Sequence, residues 1–225
     1  GLGEWEVFGH KSCINPPASL PLLTQSVSGV IATPHRVSTF QPDASRLMDL
    51  SKIKTGDNPP DDINVLIEVP LGGDPIKYEI DKDSGAMFVD RYLYTEMRYP
   101  CNYGFVPHTL SLDGDPIDVM VVGNRPLVPG SVVRARPVGV LMMTDDKGPD
   151  EKILAVPHNK LTSYYDKIAT YHDLPQTLID KTAHFFEHYK DLEKGKWTRI
   201  EGWYGIEKAR ELIEAAVKRG QAEGA

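Results

Sequence analysis

The chain has 225 residues, of which 40% are hydrophobic and 25% charged, a composition typical of a soluble globular protein. Its formal net charge of −7 excludes an overall positive field that would attract nucleic acid or anionic lipid. No apolar run approaches the ~18 residues needed to span a membrane, and two distant cysteines indicate reduced thiols rather than a disulfide framework. We therefore expect a cytoplasmic protein with no nucleic-acid partner and no membrane contact.

The first 47 residues differ in composition from the rest of the chain. They contain five prolines, scattered Ser and Gly, and no sustained period of 2 or 3.6 residues. From Met48 onward, the run Met-Asp-Leu-Ser-Lys-Ile resembles a natural beginning. We predict that residues 1–47 are a disordered tail, or an artificial or translated upstream extension, and that residues 48–225 form the folded domain.

Strand-like sequence dominates between residue 62 and about residue 157. β-branched or alternating runs, separated by Gly and Pro, predict about five strands at 63–69, 77–81, 86–92, 117–122 and 131–143.

Two helices are predicted after the strands. The first begins near Pro175, and its buried face comprises Leu178, Thr182, Phe185, Phe186, Tyr189 and Leu192. The second runs from about residue 206 to 219, where Gly220 is expected to end it. Strands followed by helices, without a βαβ rhythm, favour an α+β fold: a five-stranded antiparallel barrel with two or more flanking α-helices.

An acidic segment, Asp113-Gly-Asp-Pro-Ile-Asp118, places three carboxylates within six residues. Clustered carboxylates repel one another unless a cation is present, and hard divalent cations prefer oxygen ligands. A solvated polar turn is the alternative. An EF-hand is excluded, because its sixth position would be Asp118 instead of Gly and its twelfth Asn124 instead of Glu.

A second acidic segment spans residues 145–152 and includes Asp145, Asp150 and Lys152. Alone, it fits a charged hairpin loop. Together, two carboxylate loops leaving adjacent strands of one barrel could share several Mg²⁺ ions, which would activate water and neutralise a phosphate leaving group.

Basic and phenolic side chains could complement these acids. Lys77 and Glu79 project from one face of their strand because side chains alternate. Lys77 and Arg91 are suited to phosphate, although exposed surface charges are the simpler interpretation of either one. Tyr99 and Tyr103 could donate hydrogen bonds to phosphate oxygens or could be structural tyrosines.

Several motifs in one order resemble the family I soluble inorganic pyrophosphatases of bacterial type. The resemblance covers nearly all of residues 58–205 and rests on Asp-Gly-Asp-Pro-Ile-Asp at 113–118 together with the following segments: Glu-Val-Pro at 68–70, Asp-Pro-Ile-Lys-Tyr-Glu at 74–79, Val-Asp-Arg at 89–91, Tyr-Pro-Cys-Asn-Tyr-Gly at 99–104, Arg-Pro-Val-Gly-Val-Leu at 136–141 and His-Phe-Phe-Glu-His-Tyr-Lys-Asp-Leu-Glu at 184–193.

The resemblance implies a role for each matching residue. Asp115 would be the general base that deprotonates a Mg-activated water. The other implied groups are Mg²⁺ ligands (Asp113, Asp118, Asp145, Asp150), phosphate ligands (Lys77, Arg91, Tyr103, Tyr189, Lys190) and supporting residues (Glu68, Glu79, Tyr99, Lys152). Asp146 stands where Glu is common in the family, which leaves its direct role open.

For the whole protein, the resemblance implies a catalytic domain at 48–225 with an OB-like barrel, assembled as a homohexamer. The implied reaction is hydrolysis of pyrophosphate to two orthophosphates. A different Mg²⁺-dependent phosphohydrolase would need a base or sugar pocket, for which the sequence shows no aromatic cage. A non-catalytic OB-fold binding module should carry a basic groove, whereas this chain is acidic.

Overall fold

Nine strands and two α-helices form the fold of residues 48–223, which are the residues that the computed structural model describes. In chain order the elements are β1 (Ile63–Val69), β2 (Ile76–Ile80), β3 (Met87–Tyr92), β4 (Asn102–Phe105), β5 (Asp118–Val121), β6 (Val132–Asp145), β7 (Gly148–Pro149), β8 (Lys152–Pro157), α1 (Gln176–His188), β9 (Thr198–Tyr204) and α2 (Ile206–Glu223). The prediction for residues 1–47 lies outside this part of the chain.

Five strands close into an uneven ring in the order β1-β4-β5-β8-β6, with β6 pairing back to β1. All neighbours in the ring are antiparallel except β5 and β8, which are parallel. The predicted α+β fold with an OB-like, five-stranded barrel is confirmed. β7 and β9 extend the ring by pairing with β6.

Two of the predicted strands lie outside the ring. The segments predicted at 77–81 and 86–92 form a separate hairpin of β2 and β3. Their places in the ring belong to β4 and β8, which were not predicted as strands. β4 contains Asn102 and Gly104, residues of low strand propensity. Gly104 is required because an added Cβ would lie 1.9 Å from the carbonyl oxygen of Leu66 in β1.

The helices cover the ring from two sides. Phe185 and Phe186 of α1 pack into a cluster with Tyr99 and Tyr103, whereas α2 packs on β6 and places Ala209, Ile213 and Ala216 in a second cluster of the barrel. No helix within residues 48–223 is long and apolar enough to cross a membrane.

Two predicted helix features were wrong. Helix α1 ends at His188, so Leu192 lies beyond it and is 64% exposed. Helix α2 continues through Gly220 to Glu223. Gly220 is a packing residue, because a Cβ there would lie 2.5 Å from the carbonyl oxygen of His108. The sequence offered the usual C-terminal signal, but close contact with the preceding loop is the reason for this glycine.

Candidate active site

A polar cavity of about 340 Å³ opens where the ends of β5, β6 and β8 meet the β2–β3 hairpin and the end of α1. All but one of the residues implied by the family resemblance line it. Its lining comprises Lys77, Glu79, Asp90, Arg91, Tyr99, Tyr103, Asp113, Asp115, Asp118, Asp145, Lys147, Asp150, Lys152, Tyr189, Lys190 and Lys196. Glu68 lines a smaller adjoining cavity of about 90 Å³.

The Asp113–Asp118 loop holds its shape through local hydrogen bonds. The backbone N–H of Asp115 donates to Oδ1 of Asp113 at 3.0 Å, which forms a turn around Gly114. Gly114 has a φ of +91°, a conformation that favours glycine. The buried Ile117 then anchors the loop to the barrel, and its N–H donates to Oγ1 of Thr109 at 3.0 Å.

Lys152 lies between two of the carboxylates. The parallel register of β5 and β8 places Asp118 beside Lys152, whose Nζ donates to Oδ2 of Asp118 at 2.5 Å. Nζ also contacts Oδ1 of Asp150. Burial alone would lower the pKa of Lys152, but the charges of both carboxylates raise it well above its usual value. Burial raises the pKa of Asp150, an effect that Lys152 opposes.

Asp145, at the end of β6, is buried and is held from two directions. Its Oδ2 accepts a hydrogen bond from Nζ of Lys190 at 2.6 Å, and its Oδ1 accepts one from the backbone N–H of Lys147 at 2.7 Å. Burial acts to raise the pKa of Asp145, but these two hydrogen bonds outweigh it and the net effect is a lowered pKa. The carboxylate therefore stays ionised.

Asp115 is more open than Asp118, with 59% of its side chain exposed against 22%. Nζ of Lys82, in the turn between β2 and β3, lies 2.7 Å from its Oδ1. Partial burial acts to raise the pKa of Asp115, but the hydrogen bond and charge of Lys82 give a net lowering. The carboxylate is therefore ionised at neutral pH and able to accept a proton.

The hairpin contributes Lys77, Glu79 and Arg91 to the cavity. Lys77 contacts Glu79 on its own strand and lies 3.3 Å from Oδ2 of Asp90. Burial favours the neutral amine of Lys77, yet the surrounding negative groups raise its pKa. Arg91 lies 3.1 Å from Oε2 of Glu193, beyond α1.

Aromatic packing fixes the tyrosines. Tyr99 lies 4.7 Å from Phe185, and Tyr189 stacks on Phe185 at 5.2 Å, measured between ring centroids. Burial raises the pKa of Tyr99 to about 12 and those of Tyr103 and Tyr189 well above the usual value. Their hydroxyl groups therefore remain protonated and act as hydrogen-bond donors.

Glu68 is buried on β1, and its Oε1 accepts a hydrogen bond from the backbone N–H of Ile80 at 2.9 Å. Burial raises its pKa to about 8, and the charge of Asp118 adds to this effect. The hydrogen bond from Ile80 and the charge of Lys77 act in the opposite direction.

Three further residues line the main cavity that sequence reasoning missed: Asp90, Lys147 and Lys196. Asp90 is the extra residue of a bulge, since Lys77 pairs with Arg91 and Tyr78 with Val89. Strand alternation predicts that Asp90 and Arg91 point to opposite sides, whereas a bulge changes this pattern. Asp146 does not line the cavity but contacts two lysines that do: Nζ of Lys196 at 2.5 Å and Nζ of Lys190 at 4.0 Å.

The donor set of the cavity fits a hard divalent cation. Its lining contains carboxylate, phenol, amine and guanidinium groups and neither His nor Cys, which disfavours zinc. Within residues 48–223, no three Asp, Glu, His or Cys side chains converge as a ready metal cage. Lysine ammonium groups contact Asp115, Asp118, Asp145 and Asp150 instead.

Fold and cavity together define the class: an α+β, OB-like barrel protein whose cavity combines carboxylates with lysine, arginine and tyrosine. The family model of inorganic pyrophosphatase matches residues 65–221. The chain therefore belongs to the inorganic pyrophosphatase family, a family of hydrolases that uses a divalent metal.

Named relatives agree over most of the chain. An inorganic pyrophosphatase of Agrobacterium fabrum is 60% identical over 177 residues, which are 79% of this chain and 100% of the relative. That of Escherichia coli is 58% identical over 174 residues, 77% of this chain and 99% of the relative. A solved inorganic pyrophosphatase from Thermus thermophilus has a TM-score of 0.73 at 41% identity and covers 77% of this chain and 99% of its own.

Proposed function

We propose that this chain hydrolyses inorganic pyrophosphate to two orthophosphates by direct attack of water on one phosphorus, without a covalent phosphoenzyme. The observation that carries the proposal is the convergence of five aspartates, Asp113, Asp115, Asp118, Asp145 and Asp150, with lysine, arginine and tyrosine in one cavity. Such a cavity accommodates a highly charged anion only when cations offset the carboxylates.

Magnesium is the proposed metal, and Asp113, Asp118, Asp145 and Asp150 are its proposed ligands. Their oxygen atoms suit Mg²⁺, which, when bound, lowers the pKa of water and offsets phosphate charge. The ammonium group of Lys152 now contacts Asp118 and Asp150. We expect these carboxylates to exchange part of that contact for the metal.

Asp115 is the proposed general base. It is ionised, exposed to the cavity and hydrogen-bonded only at Oδ1 by Lys82 among the described side chains, so Oδ2 can accept a proton from water. Lys82 lowers the pKa of Asp115, which keeps the base in its ionised, active form.

Five residues are proposed to hold the two phosphate groups: Lys77, Arg91, Tyr103, Tyr189 and Lys190. The cations offset phosphate charge, and the protonated tyrosines donate hydrogen bonds to phosphate oxygens. Tyr189 and Lys190 are neighbours in the cavity lining, where Nζ of Lys190 lies 5.3 Å from the centre of the Tyr189 ring.

Four residues support this arrangement. Glu79 contacts Lys77, Glu68 and Tyr99 shape the cavity wall, and Lys152 is proposed to offset charge on the leaving phosphate. Lys152 suits this role because its pKa is raised, so it remains a cation although only 4% of its side chain is exposed.

Phosphate release tests the proposal directly. The full chain should release phosphate from pyrophosphate with Mg²⁺ and lose this activity in excess EDTA, and Mg²⁺ should restore it. ATP, supplied at the same concentration, should be a much poorer substrate, because the three tyrosines of the cavity are proposed to bind phosphate or to shape its wall, and none is proposed to bind a base. Preferential hydrolysis of ATP would support a nucleotide phosphohydrolase instead, and inactivity on both would contradict the proposed function.

Assembly as a homohexamer in the cytoplasm is also proposed. Exposed apolar side chains on and after β3, among them Phe88, Tyr92 and Tyr94, form the kind of surface that subunit contacts cover. Light scattering should give six times the chain mass of 25.0 kDa. A monomer mass would contradict the assembly, and cell fractionation tests the location.

A further inference from the structure

Glu193 is a half-buried acid to which the proposed function assigns no role. It lies in the turn after α1, where its backbone N–H donates to the carbonyl oxygen of Lys190 at 2.8 Å. Only 12% of its side chain is exposed. The same turn therefore carries this carboxylate and the cavity residues Tyr189 and Lys190.

Glu193 connects that turn to the β2–β3 hairpin. Its Oε2 accepts a hydrogen bond from Nη1 of Arg91 at 3.1 Å. A second contact joins the same two regions, because Oγ1 of Thr95, which follows β3, lies 3.4 Å from the carbonyl oxygen of Tyr189. The hairpin has no backbone pairing with the barrel sheet in residues 48–223, so side-chain contacts such as these fix its position.

Two carboxylates contact the guanidinium of Arg91 at different nitrogen atoms. Asp90 approaches Nε at 3.2 Å from the bulge in β3, while Glu193 binds Nη1 from the opposite element. Two carboxylates at different points of one planar guanidinium restrict its rotation. The plane of Arg91 is therefore set before a phosphate arrives, which reduces the entropy lost on binding.

The contact is poorly explained as a device for stability. Among the described residues, buried Oε1 of Glu193 has no hydrogen-bond partner, and buried Nε of Arg91 has only the ion-pair contact with Asp90, which is not a hydrogen bond. Buried polar atoms without partners cost free energy, and an apolar pair of similar size would commonly be at least as stable. A positioning role accounts for a charged pair that is only partly satisfied.

We infer that Glu193 is a positioning residue that orients the guanidinium of Arg91 toward the substrate phosphate. The inference rests on the proposed function, since it requires Arg91 to bind phosphate. It adds a requirement that the turn after α1 and the hairpin hold a fixed relative position. Tyr189 and Lys190 on one side, and Arg91 on the other, then contact the anion as a unit.

A double-mutant cycle tests this inference. Glu193→Ala and Glu193→Gln are prepared alone and with Arg91→Ala, and kcat and KM for magnesium pyrophosphate are measured for each. Glu193→Ala should raise KM roughly tenfold, with a smaller change in kcat. Glu193→Gln keeps an acceptor for Arg91, so it should recover most of the affinity. Neither substitution should raise KM further once Arg91 is absent.

Glu207→Gln is the matched control, because Glu207 is an exposed acid that lies 3.7 Å from Arg210 on α2. It should leave kcat and KM unchanged. Thermal unfolding of every variant separates positioning from loss of fold. Equal KM effects with and without Arg91, or an unchanged KM in Glu193→Ala, would overturn the inference. Should Glu193→Ala not fold, Glu193→Met, which keeps the length of the side chain but offers no oxygen acceptor to Arg91, takes its place in the cycle.

Failure of the proposed function would be recognised separately. An inactive wild-type chain contradicts pyrophosphate hydrolysis before any variant is compared. Calorimetric titration with inorganic phosphate and Mg²⁺ then still tests the pair. Glu193→Ala should weaken phosphate binding in the wild-type background and should have no effect with Arg91→Ala; equal weakening in both would overturn the positioning role.

Discussion

The two walls of the cavity are held in place by different forces. The barrel wall carries Asp118, Asp150 and Lys152. The register of β5 and β8 places Asp118 beside Lys152, and the buried ammonium group of Lys152 also contacts Asp150. The hairpin wall carries Lys77 and Arg91 on a two-stranded sheet whose outer strand, β3, is largely exposed.

From this difference we expect the side chains of the barrel wall to be held rigidly and those of the hairpin wall to be able to adjust. Backbone pairing and core packing determine where the barrel carboxylates lie, to within the tolerance of a closed sheet. The hairpin is anchored to the barrel at the end of β2, where Ile80 packs with Leu66 and Phe105. Elsewhere its contacts with the site are ion pairs, namely Lys82 with Asp115 and Arg91 with Glu193. A metal site benefits from the first kind of wall, whereas a wall that meets an incoming anion can be the second kind.

The largest effect is expected from Asp115→Asn, which removes the proposed base where the walls meet. Turnover at saturating Mg²⁺ should fall by about 10²–10⁴-fold, because the amide cannot accept the proton of water. Since the side chain is 59% exposed, the unfolding temperature should hardly change. Steady-state phosphate release measures the first quantity and calorimetry the second.

Asp61→Asn is a matched control for that substitution. Asp61 is 49% exposed and lies 2.7 Å from Arg210, the same separation as that between Asp115 and Lys82. Its replacement should leave turnover unchanged. Near-native turnover in Asp115→Asn would show that another group takes the proton.

Glu68 predicts a pH dependence on the barrel side. Its pKa is about 8 in the folded chain and 4.5 as the reference value, so the folded state binds the extra proton between these limits. Stability from this group is full below pH 4.5 and is lost as the pH rises through 8. Glu68→Gln removes the titration, and in EDTA it should gain up to about 4 kcal/mol relative to wild type between pH 5 and 9.

Urea unfolding at several pH values measures this difference, and Gln is suitable because it can still accept the hydrogen bond from Ile80. The relative stability of the two proteins should change mainly between pH 5 and 8. A constant difference across that range would mean that Glu68 is ionised throughout.

The sequence predicted the chemistry of the barrel wall better than the contacts of the hairpin. Motif order identified Asp113 to Asp118 and Asp145 to Lys152, and all of the aspartates implied there line one cavity. Their roles remain predictions. Lys82 lies in none of the motifs, and Glu193, although it ends the motif at 184–193, was assigned no role. Their partners are 33 and 102 residues away in sequence, so these contacts depend on tertiary structure.

Local rules were least successful where packing decides the outcome. Gly220 had the sequence signature of a helix end, but it lies within α2. The residue is glycine because the carbonyl oxygen of His108 leaves no space for a side chain. The bulge at Asp90 changed a strand alternation that would otherwise have predicted its orientation. β9 was not predicted as a strand, because the Lys and Gly residues before it and around Trp203 are typical of a loop.

The smallest effects come from comparing one lysine on each wall, and this comparison tests directly how the walls are held. Lys152→Met leaves two carboxylates without their buried cation and should lower the free energy of unfolding in EDTA by about 3 kcal/mol at pH 8. Lys82→Met breaks a pair whose side chains are 50% and 59% exposed, so its cost should stay below about 1 kcal/mol.

Adding Mg²⁺ then distinguishes the two walls further. If the metal takes the place of the ammonium group beside Asp118 and Asp150, Mg²⁺ should stabilise Lys152→Met more than it stabilises wild type, whereas Lys82→Met should gain about as much as wild type. Urea unfolding with and without Mg²⁺ measures both quantities. Equal costs for the two lysines would contradict the difference between the walls, since burial of the cation would then contribute nothing to how the barrel carboxylates are held.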